Sequence, residues 1–293
     1  MANIFTRTLD RLRMLLPARF HLGIPVVPVV RLAGVIGVVT PLRPGLMLST
    51  VARSLERAFS MRHARAVALI INSPGGSPAQ SHLIFRRIRQ LSEEKKIPVI
   101  AFIEDVGASG GYMLACAGDE ILCDPYSIVG SIGVVGGSFG FPKLMDKLGI
   151  ERRLYTAGER KVTLDPFLPE KPDDVKRLKA IQKDIHEHFI GMVKERRGAK
   201  LNGADKTLFS GEFWTAQKAI ELGLADGIGE LRSVLRARYG EKVRTPLISA
   251  ERGLLGRRVP GVNLAAMLAG KPALADDLIS ALEARALWSR YGL

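Results

Sequence analysis

A chain of 293 residues with 47% hydrophobic and 25% charged residues carries enough apolar material for a large core, which excludes a disordered or fibrous protein. Two cysteines, Cys116 and Cys123, make no disulfide framework and match no metal spacing, and five histidines form no HExxH motif. The cysteines are expected as small buried hydrophobes, and neither a metal nor another cofactor is expected. The formal charge of +14 gathers at the ends: residues 1–65 hold ten arginines against Asp10 and Glu56, and a second basic cluster runs from Arg236 to Arg258. Such ends suit an anionic membrane surface. No RRM, zinc-finger or helix-turn-helix signature points to nucleic acid.

Taken in order, residues 1–28 read as a basic N-terminal appendage. Phe5 to Phe20 interleaves arginines with Leu and Met, which a secretory signal does not, but which a short amphipathic helix lying on a membrane would. Leu22 to Val39 is interrupted by Pro25, Pro28 and Arg31, so no transmembrane span is expected, and Val29 to Val39 reads as a first strand. A core follows from 29 to 240. It predicts a helix over Leu48 to Ser60, a strand over 67–71, a glycine turn over 72–77 and a helix over 79–92. A second unit repeats the pattern: strand 98–103, glycine turn 107–111, helix 111–117. Short strands are predicted at 120–123 and 128–134, a helix over Lys143 to Leu148 and an edge strand over Glu151 to Tyr155. Ala157 to Lys171 reads as an irregular loop. Pro172 opens a long charged helix to about Arg197, with Val175, Leu178, Ile181, Ile185 and Phe189 on one face. Helices over Phe213 to Leu222 and Leu231 to Arg238 close the core, and residues 241–293 read as a helical extension. Strand–helix alternation of this kind implies an α/β fold with a largely parallel sheet.

The chemistry gathers at the two glycine turns, Asn72-Ser73-Pro74-Gly75-Gly76-Ser77 and Val106-Gly107-Ala108-Ser109-Gly110-Gly111-Tyr112. Ser109 stands at a helix N-terminus, where main-chain N–H groups favour developing negative charge, and its glycine neighbours let a carbonyl approach. Gly107-Ala108-Ser109-Gly110-Gly111 also fits the G-x-S-x-G elbow, whose triad requires a later histidine. The histidines available, His186 and His188, lie in the charged helix rather than in a late loop. Lysine is the other base that serves a serine, but with an ordinary pKa of about 10.4 it must be desolvated to act. Lys161 is a loop lysine with apolar neighbours, which by itself does not single it out.

These turns, with Gly130-Ser131-Ile132-Gly133-Val134, Gly158-x-x-Lys161-x-x-x-x-Pro166-Phe167 and Phe209-Ser210-Gly211-x-x-Trp214-Thr215-Ala216, resemble the signal peptide peptidase A (protease IV) family in order across residues 29–235. The resemblance implies a ClpP/crotonase-like α/β fold, a stacked ββα core with C-terminal helices. It implies a serine endopeptidase with Ser109 as nucleophile, Lys161 as general base and Ser131 orienting the lysine. The Gly76 and Gly110 N–H groups would form the oxyanion hole, with Gly75 as the fallback for Gly76. The segments 72–76 and 131–136 would hold a hydrophobic or unfolded peptide, such as a signal-peptide remnant, by strand addition. Short members share each site between neighbouring subunits of a ring, so a homo-oligomer is expected, with helix 172–197 at its interface. Typical members carry a membrane anchor, which this sequence does not display. The expected location is therefore cytoplasmic, or peripheral at the inner membrane. Two other readings remain: a crotonase-like acyl-CoA enzyme, which leaves Ser109 and Lys161 idle, and a non-catalytic ring scaffold at a membrane.

Overall fold

The computed structural model describes residues 24–37, 45–158, 160–249, 281–282 and 284–293. The basic appendage up to residue 23, and the part of the second basic cluster from residue 250 onward, lie outside them.

Alternating apolar residues build a sheet covered on both faces. Strand β1 (Val29–Ala33) pairs in parallel with β2 (Val67–Ser73), which pairs in parallel with β3 (Val99–Ala108). The long β3 then pairs with β4 (Glu120–Cys123) along its first half and with β5 (Ile128–Gly130) at its end. Strand β6 (Phe213–Thr215) is antiparallel to β5, and β7 (Gly227–Ile228) extends the sheet beyond β4. With a period of two, Leu69, Ile71, Val99, Ala101 and Ile103 enter the larger apolar cluster. Ala68, Ile100 and Phe102 enter a smaller one on the opposite face.

Two helices, α1 (Leu48–Phe59) and α2 (Pro78–Lys95), pack against each other on the larger face. Helix α2 begins one residue earlier and ends three residues later than expected: Ser77 accepts from the Gln80 N–H, and Pro78 occupies the first turn. The short α3 (Gly110–Ala115) follows β3 directly and is wholly buried. After β5 comes an arm with one short helix, α4 (Pro142–Leu148), none of whose residues is buried. The long α5 (Pro172–Arg197), α6 (Asp205–Leu208), α7 (Ala216–Glu221) and α8 (Leu231–Tyr239) complete the core. Leu235 of α8 closes the smaller cluster. Residues 244–248, expected to begin the extension, run beside β1, with Val27 N–H donating to Arg244 O and Ile248 N–H to Val29 O.

Several expected elements differ. The strand expected over Val29 to Val39 ends at Ala33, its last two residues lying outside the described ones, and β3 runs on to Ala108 into the glycine turn expected at 107–111. The strand predicted over 128–134 stops at Gly130, because Ser131 takes a φ of 51° and turns its N–H to Glu212 O. Glu151 to Tyr155 forms no strand; it is irregular and exposed, and it pairs with no strand among the described residues. Phe213 to Thr215 is strand rather than the first turn of a helix, since pairing with β5 outweighs its helix-like spacing.

A buried ion pair fastens α5 to the sheet. Arg197, 4% exposed, donates through both terminal nitrogens to Asp226 at 2.9 and 3.0 Å and through Nε to Gly223 O at 2.8 Å. Asp226 also accepts from the Ile121 N–H of β4 and from Lys200. Burial would raise the Asp226 carboxyl, but these donors outweigh it and hold the group down at about 2. Next to this pair, Tyr112 donates its buried hydroxyl to Leu224 O at 2.8 Å. Cys116 and Cys123 are buried free thiols, and burial pushes both up to about 12.

Replacing Asp226 by Asn leaves a buried guanidinium without its counter-charge, so urea unfolding of that variant should show a loss of roughly 3–5 kcal/mol. The depressed folded pKa makes this pair's contribution fully present above about pH 4, the unfolded range, and lost as pH falls toward 2. The unsubstituted chain should therefore lose stability over that window by roughly 2–3 kcal/mol more than Asp226→Asn does.

Candidate active site

Ser109 occupies the junction where β3 stops and α3 starts, with φ 53° and ψ −123°. A non-glycine residue rarely holds a positive φ, and the turn persists because its surroundings impose it. The Ser109 N–H donates to Gly130 O at 2.8 Å, and the Ser109 carbonyl accepts from the N–H groups of Tyr112 and Met113. Both sides of the residue are thus tied down while its side chain faces a cleft. Because Ala108 pairs with Gly130, Ser131 leaves the adjacent strand at the same level as Ser109, and it too has a positive φ.

The first glycine turn closes over this junction. A methyl group built on Gly75 would stand 2.8 Å from the Gly110 nitrogen and 3.0 Å from the Ser109 Oγ, so only glycine fits. One on Gly76 would stand 2.1 Å from Ile36 O. The Ile36 N–H donates to Gly75 O and the Ser77 N–H to Ile36 O, which pins the turn. Asn72 ties it to β3 by donating to Asp105 at 2.5 Å. Among the described residues, neither the Gly76 nor the Gly110 N–H has a protein acceptor.

The cleft in front of Ser109 has a volume of about 600 Å³. Ser109, Ser131, Gly76 and Gly110 all line it, whereas Gly75 lies behind. Gly133, Val134 and Val135 form one wall; Gly133 is a bend, and Val134 and Val135 belong to no strand among the described residues. Lys161 is not among the lining residues. It is exposed, in a turn where its N–H donates to Gly158 O, on the arm beyond β5. The arm is braced by itself rather than by the core. Phe141 stacks on Phe167, Arg152 lies over Phe167, and Asp165 pairs with Arg152 at 3.0 Å. The Phe167 N–H and then Arg152 hold the Asp165 carboxyl below its ordinary range. Val135, Phe139, Leu144, Leu148, Ile150 and Tyr155 are exposed along it, Phe139 by 80% and Tyr155 by 92%. Along the apolar face of α5, Val175, Leu178 and Ile185 are half-buried, Ile181 is exposed, and full burial begins at Phe189.

Two groups of the cleft escaped the sequence reading. His186 lines it, its Nε2 at 3.0 Å from Ile132 O. A carbonyl only accepts, so this nitrogen carries the proton and is not free to take one from Ser109. The α5 periodicity placed His186 next to the apolar stripe through Ile185, but nothing in the sequence put that helix across the cleft. The second group is the C-terminal segment, whose Leu287, Arg290 and Tyr291 also line the cleft.

A parallel α/β core presenting a serine on a strained strand-to-helix turn beside glycine amides defines a hydrolase-like nucleophile site. The model of peptidase family S49 matches residues 92–243, and the chain belongs to that family. The fold is of the ClpP/crotonase-like α/β type. The chain is 56% identical over 289 residues to a Brucella abortus protein named Na(+)/H(+) antiporter NhaA, covering 96% of this chain and 39% of that protein. It is 31% identical to the chloroplastic serine protease SPPA of Arabidopsis thaliana, over 66% of this chain and 28% of that one. A Buchnera aphidicola protein named "Probable protease SohB" is 35% identical over 60% of this chain and 51% of its own length. The chain thus spans about two-fifths of the length of the relative that matches nearly all of it, and 28% and 51% of the other two. A solved 1510-N membrane-bound stomatin-specific protease superposes with a TM-score of 0.44 at 17% identity, over 78% of this chain and 94% of its own.

Because Gly75 abuts both Ser109 and Gly110, Gly75→Ala should lower peptide hydrolysis by about tenfold or more, the order of an oxyanion-hole lesion. A thermal melt by circular dichroism should still show a cooperative transition.

Proposed function

We propose that the chain is a serine endopeptidase for apolar or unfolded peptides, with Ser109 as nucleophile and Lys161 of a neighbouring copy as its general base. The observation that carries this reading is the division of the chain itself. Ser109, Ser131, Gly76 and Gly110 converge on one cleft, while Lys161 stands outside it on an arm that leaves Phe139, Leu144, Leu148, Ile150 and Tyr155 exposed. An exposed apolar patch of this kind calls for a partner. A second copy would cover the arm, bury Lys161 and so favour the neutral amine that a base requires.

In such a site the lysine takes the Ser109 proton as Oγ attacks the scissile carbonyl. Negative charge develops on the carbonyl oxygen, toward the Gly76 and Gly110 N–H groups, which lose nothing by turning to it because no protein acceptor holds them. The protonated lysine then passes its proton to the leaving amine, and water enters to hydrolyse the acyl-enzyme with the same base. Ser131 would accept from the ammonium and orient it. The peptide would pair with the 133–135 edge, its side chains alternating between the cleft and solvent.

Head-to-tail contacts of arm on cleft repeat around a closed ring, so the assembly expected is a homo-oligomer with one site at each contact. The basic residues toward both ends support peripheral contact with anionic lipid. Among the described residues no helix is long and apolar enough to cross a membrane.

Ser109→Ala and Lys161→Ala should each abolish hydrolysis of a fluorogenic apolar peptide, and His186→Gln should keep it within about tenfold. Unfolding and refolding the two inactive chains together should return activity at about a quarter of the sites, since random mixing pairs an intact serine with a neighbour's intact lysine that often. No recovery would mean that serine and lysine act within one chain. Activity surviving Lys161→Ala would remove the lysine from the mechanism.

A further inference from the structure

The family match ends at residue 243, and the two relatives named as proteases cover only 60% and 66% of this chain. The C-terminal residues nevertheless lie on the active-site cleft. Residues 281–282 and 284–289 are helical, and Ala284, Leu287, Trp288 and Tyr291 recur at the spacing of one helix face. All four are half-buried, whereas Arg285, Ala286 and Ser289 between them are exposed. Leu287 and Tyr291 line the same cavity as Ser109. The Tyr291 ring meets Phe213 edge-on at 5.0 Å between centroids, and Phe213 pairs with Gly130, the residue before Ser131.

An amphipathic helix laid by its apolar face into a groove is a recognised way of filling a peptide site. No described side chain of this segment is fully buried, so it is seated on the cleft rather than built into the core. Leucine and tyrosine side chains in this position occupy the surface that a bound peptide's own side chains would cover.

We infer that residues 284–291 are a displaceable cover on the substrate cleft, which a peptide must push aside to reach Ser109. The inference rests on reading that cleft as the peptide site, and it deepens the reading. The cover acts as a stand-in for substrate, so the cleft selects peptides that offer leucine-like and aromatic side chains. Peptide affinity is then reduced by the fraction of molecules in which the cover is seated. Activity becomes adjustable by whatever draws the segment away.

The test uses the full chain with Leu287→Glu and Tyr291→Ser together, placed in the Ser109→Ala background so that binding is read without cleavage. A fluorescein-labelled, unstructured peptide of Leu, Ala and Phe is titrated and followed by anisotropy. The doubly substituted protein should bind it about fivefold more tightly or better than Ser109→Ala alone, because the competing contact is gone. Tyr291→Phe alone keeps the ring on Phe213 and should leave affinity unchanged, while a matching thermal melt shows that the fold is intact. In the active chain the same pair of substitutions should lower KM by the same factor and leave kcat alone. Unchanged affinity, or weaker affinity, would overturn the cover; weaker affinity would make the segment part of the wall that holds substrate. If binding tightens but no variant hydrolyses peptide, the cover stands and the peptidase reading fails. If hydrolysis depends on Ser109 while neither affinity nor KM moves, the cover fails alone.

Discussion

The backbone conformation of Ser109 is the constraint around which the rest of the molecule is arranged. A φ of 53° at a serine is unfavourable by about 1–3 kcal/mol, and it holds only because strand, helix and turn converge on it. The long central β3 ends at the residue before it, β5 accepts its N–H, and α3 takes up its carbonyl. The Gly75–Gly76 turn then closes on it at distances no other residue would allow. The deeper packing keeps α3 in place: Tyr112 is fully buried with its hydroxyl on Leu224 O, and the Arg197–Asp226 pair ties that loop to α5 and β4. A large part of the core thus fixes the orientation of one side chain.

On the proposed reading, the same arrangement leaves the site unfinished within one chain. Ser109, Ser131, Gly76, Gly110 and the 133–135 wall share one cleft, and Lys161 stands outside it on an arm with exposed apolar side chains. That separation has a physical use. A serine without a base is a poor nucleophile, so a site completed by assembly is idle until chains associate. The C-terminal segment adds a second restraint within each subunit, at the cleft rather than at the base. Assembly and cover act on different terms, one on the chemistry and the other on access.

Much of this was legible in the residues, for reasons that are local. The apolar runs of β2 and β3 and the glycine turns after them are dictated by backbone geometry, and Pro172 marks a helix start because it has no N–H to satisfy. Ser109 is expected from its turn alone, whereas Ser131, Gly76 and Gly110 are expected only from the family resemblance. Where prediction departed, non-local pairing decided. Phe213 to Thr215 has the spacing of a helix, but β5 offered it a strand partner. Glu151 to Tyr155 has the composition of a strand, but it finds no strand partner among the described residues. His186 and the C-terminal segment reach the cleft only because distant elements fold across it, and no periodicity along the chain carries that information. Lys161 is the reverse case: its motif is legible, but within the chain it lies outside the cleft, and only on the proposed reading does a neighbouring copy bring it to a site.

The central claim is that Ser109 is the group that becomes acylated. Its most direct test is intact mass and peptide mapping of the full chain after mixing with a slowly hydrolysed ester of an apolar peptide. The account predicts a mass increase equal to the acyl group, mapped to Ser109 and absent from Ser109→Ala. An adduct on another residue, or one retained by Ser109→Ala, would contradict it.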